Sequence, residues 1–325
     1  MESFFDSAGC AVIGASANPS KAGYQILANM VAAGYPGGLY PVNASGGEIL
    51  GRPSRPSLDS IENEVNLVVL SAPASATPDI LAQMDRRMRK QGDIRAVVCA
   101  AAGFAEVKTP EGTAWQKSLT EFCRSRGIRL LGPNCVGVID VNRKVDTTFI
   151  AGIAHVPGGI SFVSQSGAVG AWLLMNWAAS PAGGVGFNKF VTVGNMADVD
   201  IIESVAYAGA DPATRVLGVY VEGSAEARRL VETAGEVART KPVAVLKVGR
   251  TDEGAQAASS HTGSLAGTDA LYDGAFRQHG ITRVRSVEEL SDVLRAFDSL
   301  PLPAGNRVFI LTQAGGPGIL CVDEQ

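Results

Sequence analysis

Two rounds of one alternation dominate this chain. Short runs of apolar, largely β-branched residues recur at Ala11–Ile13, Leu39–Val42, Leu67–Leu70, Ala96–Ala100 and Arg129–Leu131. Helical patterns lie between them near Tyr24–Ala33, Thr77–Lys90 and Gly112–Arg126. The rhythm then restarts. Runs at Ile160–Val163, Phe190–Val193, Val216–Val221, Val243–Lys247 and Ile281–Val284 alternate with helical stretches at Ala168–Ala178, Ile201–Ala208, Ala225–Arg239, Ala270–His279 and Val287–Ser299. A strand that is apolar along its whole length must be buried on both faces. Helices between such strands supply the cover, so the pattern predicts two parallel sheets.

The expected fold class is therefore α/β. A Rossmann-like domain spans residues 1–150 and a flavodoxin-like doubly wound domain spans 151–300. At 325 residues the chain exceeds what one hydrophobic core usually serves. Pro301–Gly305 reads as a linker, and Val308–Leu311 as a strand that begins a further α/β segment over 301–325, the start of a truncated third domain.

Composition narrows the partners. The net charge is −4 and no Lys/Arg block stands out, which argues against nucleic acid or an anionic membrane surface. The N-terminus lacks a signal peptide's basic and apolar regions, and no apolar run approaches the ~20 residues that span a bilayer. Five cysteines (10, 99, 123, 135 and 321) are scattered and never spaced as CxxC; three histidines are dispersed. A reduced, cytoplasmic protein without a metal site is expected.

The candidate sites fall where strands end. Gly14-Ala15-Ser16 follows the first strand and Gly23 opens the next helix, so backbone amides there can face an anion. A tight turn alone would also call for these glycines. Asn43 ends the second strand, where a nicotinamide-dependent dehydrogenase would need Asp or Glu for the ribose, and this lowers that reading. Asn134 and Cys135 follow the fifth strand, with Cys135 read as a small buried residue because nothing near it in sequence activates a thiolate. Ser164-Gln165-Ser166-Gly167 sits between a strand and a helix. It suits a phosphate or carboxylate cradle, or simple capping by Ser166. The long small-residue loop after Lys247 carries His261, and a neutral imidazole is nucleophilic near neutral pH. Glu222 ends a strand of the same sheet, where a carboxylate can hydrogen-bond one ring nitrogen of that histidine and fix its tautomer, or simply cap a helix or face solvent. His155 and His279 read as ordinary surface or connector residues.

Five motifs in register resemble one family. VIGAS at Val12–Ser16, GPNCVG at Gly132–Gly137, SQSGAVG at Ser164–Gly170, VGNMADVD at Val193–Asp200 and SSHTGSLAG at Ser259–Gly267 are similar to the α-subunit half of the nucleoside-diphosphate-forming acyl-CoA synthetases. That superfamily includes the ADP-forming acetyl-CoA synthetases and succinyl-CoA synthetase. The resemblance implies a ligase whose first domain binds coenzyme A. Gly14, Ala15, Ser16, Gly23, Asn43, Ala72, Pro73, Ala102, Gly103 and Phe104 would be around that ligand. It implies a phosphate or carboxylate site formed by Asn134, Ser164, Gln165, Ser166, Gly167, Gly194 and Asn195. Acyl-CoA, phosphate and ADP would interconvert with carboxylic acid, CoA and ATP through an acyl phosphate and phospho-His261, steadied by Glu222. The ATP-grasp region, with its Mg²⁺ and ADP or ATP, would be a partner subunit or domain, and the assembly an oligomer. One departure stands out: the lysine that family members often carry after the second strand is replaced by Asn43-Ala44-Ser45-Gly46, leaving Arg52 as a candidate cation. A CoA- or acyl-CoA-sensing module without catalysis is the alternative; the intact His261 loop and Glu222 argue against it.

Overall fold

The computed structural model describes residues 1–180, 184–251, 253–254, 269–305 and 307–323. The first sheet is built from β1 (Gly9–Ile13), β2 (Gly38–Val42), β5 (Leu67–Leu70), β6 (Ala96–Cys99) and β7 (Arg129–Leu131). All pairs are parallel, in the order β2-β1-β5-β6-β7. A small hairpin of β3 (Glu48–Ile49) and β4 (Arg52–Pro53) follows β2. Alternate residues point to opposite faces, and the two faces have separate cores. Cys10, Val12, Leu67 and Val69 pack with Ile26, Leu27 and Met30 of α1 (Ala22–Ala33). Ala11, Ile13, Val68 and Leu70 pack with Ile80 and Met84 of α2 (Thr77–Lys90) and with Leu119 and Cys123 of α3 (Pro110–Ser125). The start of α3 is set by Thr109, whose hydroxyl accepts from the Gly112 amide at 3.1 Å ahead of Pro110.

The second sheet runs β14-β13-β12-β10-β11-β8-β9. Its members are β8 (Val138–Asp140), β9 (Val145–Asp146), β10 (Pro157–Ser164), β11 (Phe187–Thr192), β12 (Val216–Val221), β13 (Val243–Lys247) and β14 (Thr282–Val284). Strands β10 to β14 are parallel, and β8 joins β11 antiparallel. The helices are α4 (Gly167–Ala178), α5 (Ile201–Ala210), α6 (Ala227–Ala238), α7 (Asp269–Gln278) and α8 (Val287–Ser299). In both sheets the first parallel strand, β1 or β10, lies between its successor and the next strand. The strand order reverses beside it, which is where open α/β sheets bind ligands at their carboxyl edge.

Two expectations need correction. The β8–β9 hairpin precedes residue 150 in sequence but hydrogen-bonds into the second sheet, so the sheets divide after Leu131. Residues 308–311 form no strand. Phe309 and Leu311 are each 88% exposed, and the segment ends in helix α9 (Gly315–Asp323). An apolar run without a neighbouring strand has no ladder to join.

The two sheets share one core. The cluster on the α1 side of the first sheet continues through Leu131 and Val138 to Val163, Ile201 and Val205. Asn29 of α1 donates to the carbonyls of Thr148 (2.8 Å) and Ile150 (2.9 Å). Arg129 forks onto Glu203 at 2.8 and 2.7 Å and also meets Asp198 at 2.9 Å. Among the described residues no helix is long and apolar enough to cross a membrane.

Candidate functional site

At the carboxyl edge of the first sheet, Gly14 has φ of +90°, and a Cβ there would lie 2.5 Å from the Ala72 amide nitrogen. A Cβ on Gly23 would lie 2.1 Å from the Gly14 carbonyl oxygen. Both glycines are thus required by the close packing of the β1–α1 turn against the end of β5. That packing brings Ala15, Ser16, Ala72 and Pro73 to one edge, beside the amino end of α1. Asn43 ties the edge together: its Nδ2 donates to the Ala15 carbonyl at 2.9 Å and its Oδ1 accepts from the Ser45 amide at 2.8 Å. Arg52 turns back on its own hairpin and donates to the Leu50 carbonyl at 3.1 Å.

The third loop of this edge differs from expectation at Phe104. Its ring is 2% exposed and belongs to the core under α2 and α3, so its side chain does not line a surface ligand. The amides of Gly103 and Phe104 donate to Glu106 Oε1 at 2.6 and 3.1 Å. The other oxygen of Glu106 accepts from Asn195 Nδ2 at 2.6 Å, and the same Nδ2 meets Gln116 Oε1 at 2.8 Å. Burial works against this carboxylate. The hydrogen bonds from Asn195 and the nearby amides outweigh it and hold the Glu106 pKa below the usual carboxylate value.

Asn195 therefore acts as a bridge between the sheets. Its segment runs along the end of β7: Val199 donates to the Leu130 carbonyl, Ala197 to Gly132 and Asn195 to Pro133, at 3.1, 3.1 and 2.8 Å. Gly194, with φ of +56°, permits this approach, since a Cβ would sit 2.2 Å from the Pro133 oxygen. Asn134 Nδ2 reaches Asn195 Oδ1 at 3.3 Å. Glu106 and Gln116 join this edge through Asn195, although no local sequence pattern marks them. Cys135 is fully buried, and desolvation pushes its thiol up to about 12, in keeping with a packing role.

The second sheet presents a compact strand-end cluster. The Ser166 hydroxyl accepts from the Val169 amide at 3.3 Å, so this residue is the N-cap of α4. Ser164 is buried and folds its hydroxyl onto the Ser166 carbonyl at 2.7 Å, shaping the turn. The first amides of α4 lack intrahelical acceptors by helix geometry, and those of Gly167 and Ala168 remain at its open end beyond the cap. Gln165 crosses to the neighbouring strand end. Its Oε1 accepts from the amides of Glu222 (2.5 Å) and Gly223 (3.1 Å), and its Nε2 donates to the Gly223 carbonyl at 2.7 Å. Glu222 is 8% exposed at the carboxyl end of β12.

One strand further, Lys247 ends β13 in register with Val221. It is 1% exposed, donates to the Val248 carbonyl, and lies 5.0 Å from the centroid of the Tyr272 ring. Burial pulls its ammonium below the ordinary lysine value, against the attraction of Asp269. A charged residue closing a buried apolar strand is the signal that could have marked it. His261 lies outside the described residues.

Comparison with known proteins identifies the domain to which each sheet belongs. Residues 9–140 match a family model described as a CoA binding domain, and residues 157–297 match a succinyl-CoA ligase like flavodoxin domain. The chain is 38% identical, over its whole length, to the alpha subunit of acetate–CoA ligase (ADP-forming) II from Pyrococcus furiosus, covering 68% of that protein. It is 40% identical to the alpha subunit of isoenzyme I from the same organism, with 99% of this chain and 69% of the relative aligned. The structure superposes on the dinucleotide forming acetyl-coenzyme A synthetase 1 of Candidatus Korarchaeum cryptofilum, solved with phosphate and ADP, with a TM-score of 0.87. That match has 35% identity and covers 99% of this chain and 67% of the other. A CoA-binding sheet and a ligase-type flavodoxin sheet, joined in this order and matched end to end, place the chain in the family of ADP-forming acetate–CoA ligase alpha subunits.

Proposed function

We propose that this chain is the CoA-binding, phosphohistidine-carrying component of an ADP-forming acyl-CoA synthetase, with His261 as the phosphoryl carrier. CoA lies along the carboxyl edge of the first sheet, its diphosphate facing the β1–α1 turn. Phosphate attacks the acyl-CoA thioester carbonyl, CoA leaves as the thiol, and an acyl phosphate forms. The imidazole of His261 then attacks that phosphorus, releasing the carboxylate, and the phosphoryl group passes to ADP. Glu222 hydrogen-bonds the other ring nitrogen and stabilises the cationic phosphohistidine. The helix-end amides of Gly167 and Ala168 hold phosphoryl oxygens.

The observation that carries this reading is the Gln165 clamp. It joins the anion-facing end of α4 to the strand end bearing Glu222, and the next strand leads into the loop that bears His261. Nucleotide and Mg²⁺ would be held by an ATP-grasp subunit or domain. The test is incubation with that partner and γ-labelled ATP. An acid-labile, base-stable label is expected, lost in His261→Ala. Label retained in that variant overturns the assignment.

A further inference from the structure

The side-chain amide of Asn195 can face its neighbours in only one way. The Glu106 carboxylate accepts and does not donate, and its Oε2 lies 2.6 Å from one end of that amide. Gln116 Oε1 lies 2.8 Å from the same end and also accepts from the Ala105 amide at 3.3 Å. That end must be the NH2, so Asn195 Oδ1 turns outward and accepts from Asn134 Nδ2 at 3.3 Å. The join between the sheets does not need this carboxylate. Backbone bonds from Asn195, Ala197 and Val199 already fix their segment to the end of β7. What Glu106 adds is the direction of one amide.

Asn134 is where that direction matters. It is exposed at the turn after β7, with φ of +57°. Its backbone amide donates to the Ala101 carbonyl at 3.0 Å, in the loop after β6 on the carboxyl edge of the first sheet. On the other side, Met196 follows Asn195 and places its sulfur 3.7 Å from Gln165 Nε2. Gln165 in turn clamps the strand end bearing Glu222. Asn134 thus stands between the edge read as the CoA site and the cluster read as the phosphoryl site. An acyl group passing from thioester to acyl phosphate reacts between those two edges. As phosphate attacks, negative charge develops on the acyl oxygen, and a fixed N–H donor there lowers the barrier. The Asn134 NH2 carries two donors, and Asn195 takes one.

We infer that Glu106 is a positioning residue for acyl transfer: through Asn195 it holds Asn134 as a hydrogen-bond donor to the acyl group. The inference rests on the functional reading above. Glu106→Gln keeps the shape and reverses the wiring. The glutamine oxygen still serves the Gly103 and Phe104 amides, so its NH2 meets the Asn195 NH2, and Asn134 loses a fixed acceptor. The test is turnover of acetyl-CoA with phosphate, ADP and Mg²⁺ by the full chain with its nucleotide-binding partner. Glu106→Gln is expected to lower kcat by about tenfold to a hundredfold. KM for acetyl-CoA should stay near wild type. Labelling of His261 from γ-labelled ATP, which involves no acyl group, should be retained. Glu106→Asp keeps both acceptors on a shorter arm and should recover part of kcat. A wild-type kcat in Glu106→Gln, or an equal loss of His261 labelling, overturns the inference while the functional reading stands. A wild-type chain that neither turns over acetyl-CoA nor takes the label overturns that reading as well. Circular dichroism at the assay temperature checks that Glu106→Gln is folded. If it is not, the fall in kcat without a change in KM is sought in Glu106→Asp, and its absence overturns the inference.

Discussion

The side-chain carbonyl of Gln165 takes the place of a further strand residue for Glu222, accepting from its backbone N–H at 2.5 Å just beyond the end of the β10–β12 pairing. The carboxylate at the end of β12 is thereby registered to the open end of α4 by a group that has no need to touch substrate. Gln165→Ala should leave the amides of Glu222 and Gly223 without acceptors, at a cost of about 1–3 kcal/mol in stability. Urea unfolding measures that cost. In the presence of the nucleotide-binding partner, phosphoryl transfer should fall more than the stability loss explains, and CoA affinity should stay at the wild-type level.

Gly14 is held at a positive φ, with the Ala72 backbone where a side chain would go. Gly14→Ala is expected to cost about 1–3 kcal/mol from backbone strain, plus displacement of the β5 end. Thermal unfolding should register the loss and CoA titration a weakened complex. An unchanged melting temperature would show that the turn yields more readily than its contacts imply.

Acidification should loosen the join between the sheets. The hydrogen bonds from Arg129 are the main reason that the Glu203 carboxyl titrates below its ordinary value of 4.5. A carboxyl whose pKa is depressed by folding contributes stability that is fully present above the unfolded value. That contribution is lost as pH falls through the lower folded value. Urea midpoints should therefore decline below pH about 4.5. Glu203→Gln should be less stable than wild type at neutral pH and should show a shallower decline on acidification.

Thiol chemistry should sort the cysteines by burial. Cys10, Cys99, Cys123 and Cys135 are buried, and Cys321 on α9 is exposed. Alkylation of the native chain at neutral pH should label Cys321 first, and Cys135 only on unfolding. Mass spectrometry of the labelled peptides checks this, and rapid native labelling of Cys135 would reopen it as a reactive group.

Strands buried on both faces and apolar at every position, such as Leu67–Leu70, are plain in the sequence; β11 is less so, because Asn188 and Lys189 interrupt it. It did not carry β3–β4 or β8–β9, whose strands of two or three residues are too short to show a period. The same reasoning marks Val308–Leu311 as a strand, where the hydrophobicity is present but no partner strand lies beside it among the described residues. At the site, turn glycines and the Ser166 cap were legible because their constraints are local. Glu106 and Gln116 were not, since what defines them is Asn195, whose bonds span 89 and 79 residues of chain.

The cluster shared by α1, the end of β7 and α5 gives the molecule a common fate. A CoA-binding unit and a ligase unit with separate cores would melt separately. With side chains from Cys10 to Val205 in one cluster, heating should produce a single transition, in which damage to the CoA side also lowers the survival of the ligase side. The two sheets are thus stabilised, and lost, together.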